Sequence, residues 1–384
     1  MKKAFFIIAI ILFCGAALMG PGRETRAAWA ADKEIVLDYE DIEARVAAYN
    51  NTVRIGKISL SEAQNALSQA RAANRDRREQ RESLGEAISE TKDMIESGAL
   101  DDTALKEAQS LLSTLEQMSD SLRSQTTSQL ERTIEAVTLQ NAQTVGQLVN
   151  GARQLYIRAC QLRSNIALQQ DKLEQAELAV AKAETRLAHG LGTAAALSEA
   201  QLQVSSARTE LAALKRQLQT MLAQLRDYAG YKEGETITLG EAPQLDADYL
   251  AKIDLESDIA AAVSANYALK LLNIDRINAD RTSAKRKITI QIEQQEAATR
   301  QNIKEKYDLL LETQAKLDLS AAELKQAQNQ LKTAETQFKL GRISQNTLDS
   351  KQAACEAKQT AWQNAALTLA AEIVDYQAKV GGLN

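Results

Sequence analysis

The chain has little equipment for chemistry. Its whole supply of imidazole and thiol is one histidine, His189, and three cysteines, Cys14, Cys160 and Cys355. A general base or metal ligand needs partners held at short range. His189 stands beside Gly190-Leu191-Gly192-Thr193, which reads as a solvated turn, and no cysteine pair has zinc spacing. Asp and Glu are plentiful, but they lie on Ala-rich helical stretches where carboxylates usually form salt-bridged outer faces. No phosphate-cradling glycine loop or nucleophile elbow appears. The expectation is no catalysis, no cofactor and no metal.

Composition points to rods rather than a thick core. Aromatics make up 4% and there are two prolines, Pro21 and Pro243, so the Ala-rich 45% apolar fraction suits thin seams between long helices. A quarter of the residues are charged with both signs mixed, and the net charge is −5, without the basic stripe that nucleic acid requires. Residues 1–30 read as a secretory signal. Lys2 and Lys3 precede the apolar run Ala4 to Met19, and Ala28-x-Ala30 offers a cleavage site. Phe13 before Cys14 is too bulky for a lipoprotein site. An exported chain sits where disulfides can form, yet Cys160 and Cys355 fall in helical patterns that suit buried packing.

What must position any functional residue is an internal repeat. LEQAELAVAKAETRLAHG at 173–190 and LKQAQNQLKTAETQFKLG at 324–341 match at a constant offset of 151. The register carries on through Leu197/Leu348, Gln201/Gln352, Leu218/Leu369 and Gly230/Gly381. The starts of the halves correspond more weakly, Asp41-Ile42 with Val46 paralleling Asp258-Ile259 with Val263. The first half then carries an additional polar helical insert at about 75–140. Residues 81–97 and 102–125 flank Gly98 in it, as a surface helix-turn-helix or an extension of the rods.

Apolar residues recur in steps of three and four from Leu148 to Leu187, and again from Leu197 to Tyr228. A 3.5-residue period held so long specifies coiled-coil packing. The fold class is all-α: duplicated long antiparallel coiled-coil hairpins, with a first repeat over 31–230, a linker over 231–250 and a second repeat over 251–384. The first ascending helix should run roughly 60 Å. Gly190 and Gly341 close the ascending helices, and Thr193 or Ser344 can cap the next. In the linker, Thr236 to Leu239 suits one short strand, and Ile288, Ile290 and Ile292 alternate as a strand would.

Together the signal, the duplication and the two glycine turns resemble the TolC-like outer membrane efflux protein family. The similarity includes Leu37-x-x-Glu40 leading to Asn50-Asn51, the GETITL linker, His189-Gly190-Leu191, and Gly341-Arg342-x-Ser344 with Leu348-Asp349. The resemblance implies a trimeric tunnel of antiparallel helices at the periplasm or outer membrane. Its partners would be a periplasmic adaptor (membrane fusion protein) and an inner-membrane pump. It marks Gly190, Leu191, Thr193, Gly341, Arg342 and Ser344 as the adaptor-docking tip, and Asp349 as part of an acidic constriction. Two departures stand out. Asn346 and Thr347 replace the expected second acid, with Ala195 and Ala196 in the first repeat. The places where barrel strands belong read as helix apart from Ile288 to Ile292, so little or no β-barrel is expected. Two readings stay open: an efflux component docking through its hairpin tips, or an exported structural coiled-coil scaffold of the cell envelope without channel activity.

Overall fold

The computed structural model describes residues 35–97, 102–122, 127–244, 246 and 248–383. Residues 1–30, expected to be a secretory signal, lie outside them. Nine α-helices are described, named α1 to α9 in chain order. In the first half α1 (Asp41–Tyr49) leads to α2 (Asn51–Glu96), α3 (Asp102–Ser121), α4 (Ser128–Ala188) and α5 (Ala194–Tyr228). In the second, α6 (Leu255–Ala265) leads to α7 (Tyr267–Asn278), α8 (Thr282–Lys339) and α9 (Gln345–Val380). Strands β1 (Ile35–Leu37) and β2 (Ile237–Leu239) pair in parallel, Val36 opposite Thr238.

α4 is the spine. It begins well before Leu148 and holds 61 residues, roughly 90 Å rather than the 60 Å expected from the seam. It packs on α5, α9, α2 and α7, while α8 packs on α9 and α7. Near the glycine turns the helices therefore lie in the order α5, α4, α9, α8, and toward the other end in the order α2, α4, α7, α8. Ile288, Ile290 and Ile292 are helical, within α8. Three alternating isoleucines are too short a signal to override a helix of 58 residues whose buried Ile303, Leu310 and Leu317 recur every seven.

Each half starts at an asparagine elbow. Asn50 accepts from the Thr52 N–H (2.9 Å) and donates to the Tyr228 carbonyl (3.1 Å). Asn266, fully buried, accepts from the Leu269 N–H (3.0 Å) and donates to the Thr299 hydroxyl (2.8 Å). Every polar atom of these side chains that leaves water must find a partner, and an N-cap supplies it. The chain returns to each elbow through a glycine with positive φ, Gly230 (+70°) against Tyr49 and Gly382 (+101°) against Ala265.

A separate apolar cluster lies beneath each elbow. Val46, Tyr156, Ile157 and Leu225 gather with Leu37 and Ile237 of the small sheet. Ile259, Ile303, Leu310, Leu369 and Tyr376 form the counterpart. Cys160 and Cys355 are both buried and free, so no disulfide joins the halves. Burial pushes the Cys160 thiol up to about 11, which keeps it protonated and inert.

The insert extends the rods. α2 runs antiparallel to α4, with Gly56 accepting from Asn141 (2.7 Å) and Arg71 paired with Glu131 (2.8 Å). It then continues past the start of α4 for 25 residues, roughly 37 Å. α3 folds back along this extension, Lys92 pairing with Glu116 at 3.0 Å. One α2 seam serves both partners: Val53, Leu60 and Leu67 lie on the α4 side, and Leu84, Ile88, Thr91 and Ile95 lie toward α3. The second half has no such extension, since α7 and α8 meet across Ala279 to Arg281, and Asn278 bonds Arg132 near the start of α4.

Candidate docking tip

Both glycine turns lie at one end of the layer, because α4 reaches its turn where α9 leaves its own. Each turn satisfies its orphan carbonyls in the same way. After α4, Gly190 at φ +70° lets the Leu191 N–H reach the Arg186 carbonyl (2.8 Å), and the Gly190 N–H reach Leu187 (3.0 Å). After α8, Gly341 at φ +68° lets Arg342 reach Gln337 (2.8 Å) and Gly341 reach Phe338 (2.9 Å). This paired closure needs a left-handed residue, which glycine adopts without the penalty of a Cβ.

The descending helices are capped as their sequences suggest. The Thr193 hydroxyl accepts from the Ala196 N–H (3.2 Å), and the Ser344 hydroxyl accepts from the Thr347 N–H (3.3 Å). Leu191 is 73% exposed and Leu340 60% exposed, so each turn carries an aliphatic residue into solvent. His189 forms the C-cap of α4, its N–H bonded to the Thr185 carbonyl (3.2 Å). A Cβ at Gly190 or Gly341 would meet nothing within 4 Å, so both turns stand clear of the rest of the protein.

Asp349 sits one turn into α9 and faces α4. It accepts from Gln345 (2.6 Å), and one oxygen lies 4.0 Å from the Lys182 ammonium, which donates to Asn346 (2.9 Å). Lys182 therefore ties the two hairpins together just above their turns. Sequence reasoning missed it: the repeat puts Thr333 at the matching position, so the internal comparison carries no lysine there. A groove between α8 and α9 opens beside the second turn, lined by Asn329, Gln330, Thr333, Gln337 and Thr347. Its amides and hydroxyls suit hydrogen bonding to another helix rather than a small apolar ligand. Among the described residues no three His, Cys, Asp or Glu side chains gather to hold a metal ion.

Residues 118–231 match the sequence profile of the outer membrane efflux protein family. No curated protein sequence matches the chain significantly. Solved structures share the fold across nearly the whole length. A membrane protein from Pseudomonas aeruginosa superposes with a TM-score of 0.58 at 14% identity, covering 95% of this chain and 97% of that one. CusC, described for its folding and transmembrane channel formation, gives 0.55 at 13%, covering 94% and 95%. The Campylobacter jejuni CmeC outer membrane channel gives 0.53 at 10%, covering 96% and 94%. The chain thus pairs an outer membrane efflux profile over α4 and α5 with a TolC-like helical fold along nearly its whole length, without barrel strands among its described residues.

Proposed function

We propose that the chain is the helical tunnel component of an export system in the cell envelope. Copies close edge to edge, three by family resemblance, and dock through their turns to a periplasmic adaptor that is itself served by an inner-membrane pump. One observation carries this reading: the layer α5, α4, α9, α8 has two open edges and both of its turns at one end. The free edges carry exposed aliphatic residues, Leu202 of α5 on one side and Leu311 and Leu319 of α8 on the other. Unlike edges that meet head to tail close into a ring when the rotation allows it.

In this reading Gly190, Leu191 and Thr193, with Gly341, Arg342 and Ser344, form the surface offered to the adaptor's helices. Asp349 narrows the entrance, and Lys182 holds it against α4. That the described residues hold no barrel strands favours the second reading, an envelope scaffold without channel activity, because backbone cannot cross lipid unpaired. Native mass spectrometry with and without detergent, together with cross-linking from Leu191→Cys and Arg342→Cys in cells, separates the two. An oligomer whose turns cross-link to a helical adaptor supports the tunnel. A monomer that washes from membranes and whose turns capture nothing overturns it.

A further inference from the structure

Past the elbows, away from the glycine turns, the layer again has two open edges, one on α2 and one on α8. The antiparallel pairing of Gly56 with Asn141 sets Asn50 level with Gln147 of α4. Gly146 of α4 lies against Leu383, beside the Gly382 that closes on Ala265, so the Asn266 elbow stands at the same level. Thr299, bonded to Asn266, carries that level to α8. Residues on the two edges can then be matched by counting from the elbows. On α2, Ile55, Ile58 and Glu62 fall on the side opposite Val53, Leu60 and Leu67, which face α4. On α8, Lys287 and Ile290 fall on the side opposite the buried Ile292, Thr299 and Ile303. Ile55, Ile58 and Ile290 are left 65%, 59% and 50% exposed.

We infer that the α2 edge of one copy packs on the α8 edge of the next, with Ile58 against Ile290. The inference rests on the ring reading above and names the residues that meet beyond the elbows. Ile58 lies eight residues past Asn50 and Ile290 nine before Thr299, so both stand about 12–14 Å beyond the elbows. Glu62 and Lys287 each lie twelve residues out, and Arg54 and Glu293 four and six. α2 runs away from the turns and α8 toward them, so the facing helices are antiparallel. At 3.6 residues per turn, Glu62 and Lys287 then flank the isoleucines on one side, and Arg54 and Glu293 on the other. Arg286 falls beside Asn65, an amide it can bond. Glu62, Lys287 and Glu293 make no ion pair among the described residues. A second copy fits because the two edges are unlike and each charge on one finds its opposite on the other. Both signs occur along each edge, so neither edge offers the single-signed basic surface that anionic lipid or nucleic acid needs.

The test uses the full chain carrying Ile58→Cys and Ile290→Cys together, beside each single substitution, treated with a short bis-maleimide. The unsubstituted chain, whose Cys160 and Cys355 are buried, gives the background. Oligomeric state is measured in parallel by native mass spectrometry. The expected result is a covalent ladder in the double variant that ends at the size of the oligomer. Neither single variant should give one, because position 58 meets 290 and not itself. Glu62→Lys should raise the concentration at half-assembly about tenfold, and adding Lys287→Glu should restore it. An oligomer whose double-cysteine variant gives no ladder overturns this inference and leaves the ring reading standing, as does a charge reversal that Lys287→Glu fails to rescue. A monomer in every case, the unsubstituted chain included, overturns both. A dimer cross-linked through Ile58→Cys alone overturns the unlike pairing in favour of a symmetric contact, and cross-linking only to a different protein overturns the second copy.

Discussion

Replacing Gly341 by Ala isolates what the second turn demands of its backbone. Gly341 has φ +68°, and a Cβ there has nothing within 4 Å. The substitution therefore meets no clash, and its cost is the left-handed conformation of an L-residue, about 1–2 kcal/mol. Ala also restricts the unfolded chain, which returns part of one kcal/mol in the opposite direction when the site is compatible; at positive φ it is not. Gly230 supplies the contrast. Its φ is the same, +70°, but a Cβ would lie 2.4 Å from the Tyr49 carbonyl oxygen, backbone that cannot rotate away. Overpacking adds to the conformational cost there, for a total of about 3 kcal/mol or more. Urea unfolding of both variants, followed by far-UV circular dichroism, should place the Gly341→Ala midpoint slightly below that of the parent and the Gly230→Ala midpoint far below. Equal losses would refute the claim that the tip stands free while the elbow is closed. A neutral Gly341→Ala would refute the left-handed turn itself.

Other outcomes follow from the same contacts. Leu310→Ala empties a fully buried position in the second cluster and should cost about 2–5 kcal/mol in urea unfolding. Thr193→Ala and Ser344→Ala each remove an N-cap and should each lower stability by about 1 kcal/mol, with the helix content of the folded state unchanged. Alkaline pH should destabilise the protein. Burial raises the phenols of Tyr156 and Tyr376 above the usual 10.0, and for Tyr376 the hydrogen bond to Asp258 (2.8 Å) adds to it. A raised folded pKa favours the folded state at low pH, so this stability is complete below pH 10 and is lost as pH rises beyond it. A pH titration of the urea midpoint should fall less steeply above pH 10 in Tyr376→Phe than in the parent.

The hairpins were legible because coiled-coil packing is written locally. Leu173, Ala176, Val180 and Ala183 repeat at the spacing of a helix seam, and each repeat ends on the one residue type that turns freely. The insert was legible as polar helix, but its form was left open between a separate helix-turn-helix and longer rods. It is both, since α2 runs unbroken through Glu96 while α3 returns along it. Local pattern could not separate the two because one seam on α2 serves successive partners. The Ile288 to Ile292 alternation misled for a related reason: a three-residue period-two signal carries no information about the 58-residue helix around it.

By itself, then, the chain's order of residues determined the long helices, the two glycine turns and the doubling that relates them, because each depends on neighbours a few positions apart. Tertiary packing decided which helices share a layer, that both turns meet at one end, and that Lys182 reaches Asn346 across 164 positions. It also decided which edges of the layer are left open. Those are contacts between segments far apart in sequence, and side-chain spacing within one helix does not specify which other helix will cover it.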